Sequence, residues 1–235
     1  MRPILTLLLI SFFFTTEIYS QQGLGVMIDR AQQAMTDLGN KTSRKPKPLN
    51  IQGTHYFNQN FSIATLDYFG KELNDKGYMR YNAFRDEIEM ATTSSQNESD
   101  LILMKSNDIV PVINGEKYLY LPHRLEDGRA YIGYLVLLYQ GEKYTVYIKR
   151  QKVFMEEVVA RTGLENPFPP RFVDNVQIYI STNGDTPIPL KQTRKGVSSF
   201  FKKDSDKIRK FIKSNKLKVS ESDAVIKVFE FADKL

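Results

Sequence analysis

Tyr131-Ile132-Gly133-Tyr134-Leu135-Val136-Leu137-Leu138-Tyr139 is apolar along its whole length, with no polar position to mark a wet face. An antiparallel strand with one face in water alternates apolar with polar side chains, and this one does not. It therefore reads as a central strand covered on both sides, by helix, by a second sheet or by closure into a barrel. The strand after it alternates better, setting Tyr144, Val146 and Ile148 against Thr145, Tyr147 and Lys149. Between the two lies the turn pair Gln140-Gly141, and Asn114-Gly115 and Asn183-Gly184 recur at similar positions between apolar runs. Asn-Gly is a strong hairpin signal because both central residues of the favoured turn take positive φ.

Working outward, strands are expected near 53–58, 61–67, 78–84, 86–91, 100–105, 109–114, 117–121, 130–139, 143–150, 152–158 and 175–181, some of them merging. Short strands at regular spacing with hairpin turns argue an antiparallel meander over 51–200 rather than βαβ units. The fold class is thus β-rich (α+β), a rolled sheet or partly closed barrel. Gly-Glu-Lys-Tyr occurs at 115–118 and again at 141–144. It marks either a duplicated binding unit or two hairpins with the same exit chemistry, and the hairpin explanation is the simpler.

Helical periodicity frames this region. Leu24, Met27, Ile28, Ala31, Ala34, Met35 and Leu38 fall on one stripe before Gly39, and a polar, basic linker follows at 40–48, so that 21–50 is a helix and its tether. Residues 201–235 are expected to form a helical hairpin docked on the sheet. Asp204 or Ser205 starts one helix with Ile208, Phe211 and Ile212 on a face. Ser220-Glu221-Ser222-Asp223 resembles a capping box ahead of Val225, Val228, Phe229 and Ala232.

Residues 1–20 have the order of an export signal: Arg2, an apolar run from Ile4 to Phe14, then a polar stretch closing on Ser20. Cleavage is expected after Ser20, leaving an exported chain without a transmembrane anchor. There is no cysteine, so disulfides, thiol chemistry and thiolate metal sites are excluded. The net charge of +6 is unevenly spread: Lys191 to Lys218 is locally +9, Lys41, Arg44, Lys45 and Lys47 add +4, and the remainder is near −7. A locally basic tail suits an anionic envelope surface or an acidic protein. With no nucleic-acid motif, nucleic acid is not an expected partner.

Candidate chemistry is sparse. The two histidines, His55 and His123, have no neighbouring carboxylate at metal-ligand spacing, and no elbow, phosphate loop or zinc motif is present. No cofactor, metal or catalytic residue is therefore assigned. Asp86, Glu87 and Glu89 form the densest acidic group of the body. Two carboxyls of a strand can stand at the separation glycoside cleavage needs, which makes a small carboxylate-dependent hydrolase one reading. A solvated strand face is the plainer one. The many tyrosines and phenylalanines either fill the core or line a pocket for a lipid or other apolar ligand. The residues assigned to an anionic partner are Lys203, Lys207, Arg209, Lys210 and Lys213, spread around the apolar stripe of the first C-terminal helix.

Three stretches resemble a recurring pattern. Gly53-Thr54-His55-Tyr56-Phe57-Asn58-Gln59-Asn60-Phe61 is similar to a Gly-Ser-x-Tyr-Leu-Asn-x-x-Phe start. Met79 to Glu89 is similar to an Arg-Tyr-Asn-x-x-x-Asp-Glu-Ile-Glu segment, and Ile208 to Lys218 to a lysine-rich closing helix. In this order, behind a signal, they resemble exported proteins of Bacteroidota that define no activity. That resemblance implies a bacterial periplasm or outer-membrane face and transfers no catalytic residue. The reading of the chain is a non-enzymatic envelope binding or assembly module, with the apolar-ligand pocket and the hydrolase as alternatives.

Overall fold

The computed structural model describes residues 51–159 and 167–235. The expected signal at 1–20 and the helix and linker at 21–50 lie outside the described residues. Among those described, ten strands form one antiparallel sheet curled into a half-barrel. In chain order they are β1 Ser62–Tyr68, β2 Lys71–Asn82, β3 Glu87–Ala91, β4 Leu101–Ile102 and β5 Ile109–Ile113. Then follow β6 Glu116–Arg124, β7 Ala130–Gln140, β8 Tyr144–Met155, β9 Arg171–Thr182 and β10 Ile188–Pro189. The spatial order is β10-β9-β8-β7-β6-β5-β1-β2-β3-β4.

The meander has the physical basis the turn pairs suggested. Asn114 and Gly115 (φ 52° and 80°) join β5 to β6, and Asn183 and Gly184 (φ 50° and 80°) turn the chain after β9. Register breaks between Ala64 and Leu66 in β1, and between Leu137 and Tyr139 in β7, are bulge-like shifts of the kind that bend a sheet. β7 is central, between β6 and β8, and residues Gly133 to Val136 are buried although adjacent side chains point to opposite faces. Its start is open: Tyr131 and Ile132 are exposed.

Several boundaries differ from expectation. The stretch 53–58 is not a strand. Gln52 bridges to Arg171 in β9, whereas Tyr56 bridges to Asn82 and the His55 carbonyl accepts from Ala83 N–H, so the segment crosses strands instead of joining one. The strands expected at 143–150 and 152–158 are one strand, β8, because its ladder with β9 runs unbroken from Tyr144 to Met155. Helix begins before the anticipated 201, at α1 Arg194–Phe200, where Thr193 Oγ1 accepts from Gly196 N–H at 3.0 Å.

A short 3₁₀ turn, Lys202–Asp204, leads into α2 Ser205–Ser214, and α3 Ser222–Asp233 closes the described chain. The capping box at 220–223 does not form: Glu221 is the cap residue, and no side chain caps the helix. Asp204 likewise makes no cap bond, its carboxylate being taken by Lys207 at 2.8 Å. The apolar stripes behave as their spacing dictates. Ile208, Val225, Val228 and Phe229 are wholly buried, in one cluster with Tyr134, Val136, Ile148 and Ile178 of the sheet. Phe211 is the exception, being half-buried and stacked on Phe231 with centroids 4.1 Å apart. Asp233 fastens the layer: its carboxylate accepts from Tyr139 Oη at 2.7 Å and from Lys143 N–H at 2.9 Å.

Candidate functional site

The acidic segment at 86–89 is where the expected picture changes most. Read as a solvated strand face, it instead supplies two buried ion pairs. Arg80 and Glu89 are paired across β2 and β3, and Arg80 Nε donates to Glu89 Oε2 at 2.7 Å. The guanidinium lies 4.1 Å from the ring centres of both Tyr56 and Phe61, and its remaining donors reach Tyr56 Oη and the carbonyls of Gln59 and Asn97. Asn82 adds a 2.7 Å bond to Glu89. Burial alone would raise the Glu89 carboxyl, but hydrogen bonds from Asn82 and Arg80 outweigh it and hold it below its ordinary value. Two of the sequence segments that carry the resemblance thus meet in one saturated network.

Asp86 forms the second pair. Asn82 Oδ1 accepts from the N–H groups of Phe84 and Arg85, bending the β2–β3 turn, and Asp86 takes φ 56° at its exit. The β7–β8 ladder extends only from Val136↔Ile148 to Gln140↔Thr145, so the first half of β7 lacks β8 as a partner. Asp86 enters that split. Its carboxylate accepts from Tyr81 Oη at 2.6 Å and from Tyr134 N–H, and pairs with Lys149 Nζ at 2.7 Å. Lys149 in turn donates to the Tyr134 carbonyl at 3.0 Å. The ion pair thereby satisfies backbone groups that a neighbouring strand would otherwise have to meet. Gly133 is what admits it, since a Cβ there would collide with Asp86 Oδ2. Burial, then the adjacent Asp86, pushes the Tyr81 hydroxyl well above its usual value. Glu87 stays half-buried, 3.7 Å from Lys105. Asp86 and Glu89 are each locked by a cation of their own and do not act as a pair.

The histidines stand in different settings. His55 is exposed and packs its ring 4.5 Å from Phe172. His123 is buried between Tyr131 and Tyr179, with Nδ1 3.0 Å from the Leu121 carbonyl and Nε2 unpartnered. Burial lowers its pKa below the ordinary 6.5. The inward aromatics pack on one another: Tyr81 lies 5.3 Å from Tyr118, and Tyr120 5.2 Å from Tyr134.

The basic helical surface offers a shaped site. Arg194 and Lys195 open α1, and Arg209 and Lys213 lie on α2. Together with Ile212 they line a groove of about 470 Å³. All four cations are exposed while Ile212 is buried, giving a basic rim over an apolar floor. Of the four, among the described residues, only Arg209 is ion-paired, to Asp206 at 3.3 Å. Of the five residues assigned from sequence, Arg209 and Lys213 line this groove, and Lys203, Lys207 and Lys210 do not. Arg194 and Lys195 were missed because 51–200 was assigned to the β domain and helix was expected only from 201. The signal was present in Thr193, a good cap residue two positions before Lys195.

No helix among the described residues is long and apolar enough to cross a membrane. The molecule belongs to a class defined by its fold: a strand-dominated antiparallel half-barrel with a C-terminal helical layer. Comparison with protein-family models, curated proteins and solved structures returns no match.

Proposed function

We propose that this is an exported, non-enzymatic binding or assembly module of the bacterial envelope that meets an anionic surface through its helical layer. The observation behind this reading is the α1–α2 groove, where four cations surround an apolar floor and one alone has a carboxylate partner among the described residues. Each Lys or Arg near an anionic membrane contributes about 1 kcal/mol, and salt screens the attraction. Four such residues hold a protein at a surface reversibly. The order of residues 1–20 supports export, and the mature chain then begins at Gln21, which intact-mass measurement of the envelope fraction checks.

The test is co-sedimentation with phosphatidylglycerol-containing and pure phosphatidylcholine vesicles across a salt series. Binding to the anionic vesicles alone, lost at high salt, is expected. A variant with Arg194, Lys195, Arg209 and Lys213 changed to Gln should lose most of it. Changing Lys203, Lys207 and Lys210 to Gln should cost less. Equal binding of the wild type to both vesicle types would remove the proposal.

A further inference from the structure

A second cavity lies away from the helical groove, between the 57–62 segment, β2, the β5–β6 turn and β8, with a volume of about 170 Å³. Its most ordered feature is an ion pair. Arg150 Nη1 and Nη2 each donate to one oxygen of Glu116 at 2.6 Å, so that guanidinium and carboxylate lie fork to fork. That arrangement uses one N–H of each terminal nitrogen and one acceptor site of each oxygen. On Nη1 and Oε2 the next donor and acceptor are engaged by Tyr118 Oη, at 3.4 Å from each, while Nη2 keeps one N–H and Oε1 one lone pair. The rim of the pair therefore presents a donor beside an acceptor with no net charge. Hydrogen bonds from Arg150 hold the Glu116 carboxyl below its ordinary value against the opposing effect of burial, so the acceptor persists at neutral pH.

The remaining lining completes a recognisable chemistry. Asn58 and Asn114 each give an amide N–H to Ser62 Oγ, at 3.3 and 3.0 Å, which fixes both side chains at the cavity wall. Met79 and Ile113 supply apolar wall, and Phe57 stands on the rim, 39% exposed. An anion entering here meets the Glu116 carboxylate, and a cation meets Arg150 and also Arg80, whose own charge is matched by Glu89 behind it. An apolar guest leaves the amides and the ion pair without the hydrogen bonds water gave them, at a cost for each group. Adjacent hydroxyls suit the site, because one can donate to Glu116 Oε1 while its neighbour accepts from Arg150 Nη2, and a ring's C–H face can rest on Phe57. At roughly 30 Å³ per water in the liquid, the volume of about 170 Å³ has room for about six waters, the size of one hexose ring. We infer that this cavity binds a neutral polyhydroxylated molecule of monosaccharide size, oriented by the Glu116–Arg150 pair.

The full chain is tested by saturation-transfer NMR with glucose, galactose and mannose, each at millimolar concentration. Transfer to the ring protons of at least one hexose is expected. Glu116→Gln should weaken it at least about tenfold, the effect of losing hydrogen bonds to a charged group. Phe57→Ala, which also removes the ring 4.5 Å from Lys152 Nζ, should weaken it several-fold while the protein still unfolds in one cooperative transition. Absence of transfer from all three sugars, or transfer unaltered in both variants, overturns the inference. Neither variant touches the α1–α2 groove, so vesicle binding should be unaffected in both, and the two sites fail or stand separately.

Discussion

Asp86 shows at the scale of one residue how much a charge can depend on what lies opposite. Replacing it by Ala strands the Lys149 ammonium in a buried site and leaves Tyr134 N–H unpaired, a combination expected to cost about 3–5 kcal/mol. Denaturant unfolding of Asp86→Ala, Lys149→Met and the double variant should show a double-variant loss well below the sum of the two. His123 makes a different prediction. Its folded pKa is lowered by burial, so the folded state resists a proton that the unfolded chain accepts near pH 6.5. Its contribution is present in full above that pH and is lost as pH falls through 6.5 toward the folded value. Thermal midpoints between pH 7.5 and 5 should fall less steeply for His123→Leu than for the wild type. The sequence showed the acidic cluster but not its neutralisation. Glu89 faces Arg80 only once the β2–β3 turn fixes the register, and Lys149 alternates with Thr145 and Tyr147 as any surface lysine of a strand would.

At the scale of elements, the twin Gly-Glu-Lys-Tyr stretches prove to be hairpins with different demands on their glycines. Gly115 has open space around it, whereas a Cβ on Gly141 would run into the Asp233 carboxylate. Gly141→Ala should therefore push the end of α3 off the β7–β8 turn and break the bonds to Tyr139 and Lys143. A loss of about 1–3 kcal/mol is expected, the usual cost of overpacking, whereas an Ala at Gly115 would meet no atom and be strained only by its φ of 80°. Thermal unfolding of Gly141→Ala beside Asp233→Asn measures it: the second variant keeps the shape and weakens only the charge-assisted part. Helices α2 and α3 were legible because their 3.6-residue stripes are buried, Phe211 apart, while α1 carries no such stripe and was not. Strand ends were less so, since whether the backbone at 53–58 joins one neighbour or crosses two is decided by partners as near as Asn82 and Ala83 and as far as Arg171.

At the scale of the molecule, the turn pairs and the two-sided apolar run at 131–139 told of a covered antiparallel sheet, but its curl was not written locally. It is made where the Ala83 carbonyl accepts from Lys152 N–H at 3.0 Å, bringing the β2–β3 turn against the half of β8 that β7 has left. Neighbouring strands of the sheet are joined by ladders; this join is a few bonds around an inserted carboxylate. It also links parts of the chain far apart in sequence, whose encounter carries a larger entropy of loop closure than any hairpin. The join is thus a seam, last to close during folding and first to open in the native ensemble. Native-state hydrogen exchange in low denaturant should release the amides of Tyr134 and Lys152 before those of the β8–β9 ladder. Because Arg150 lies two residues from the seam's Lys152 on the same strand, opening of the seam should also loosen the wall of the cavity that holds the Glu116–Arg150 fork.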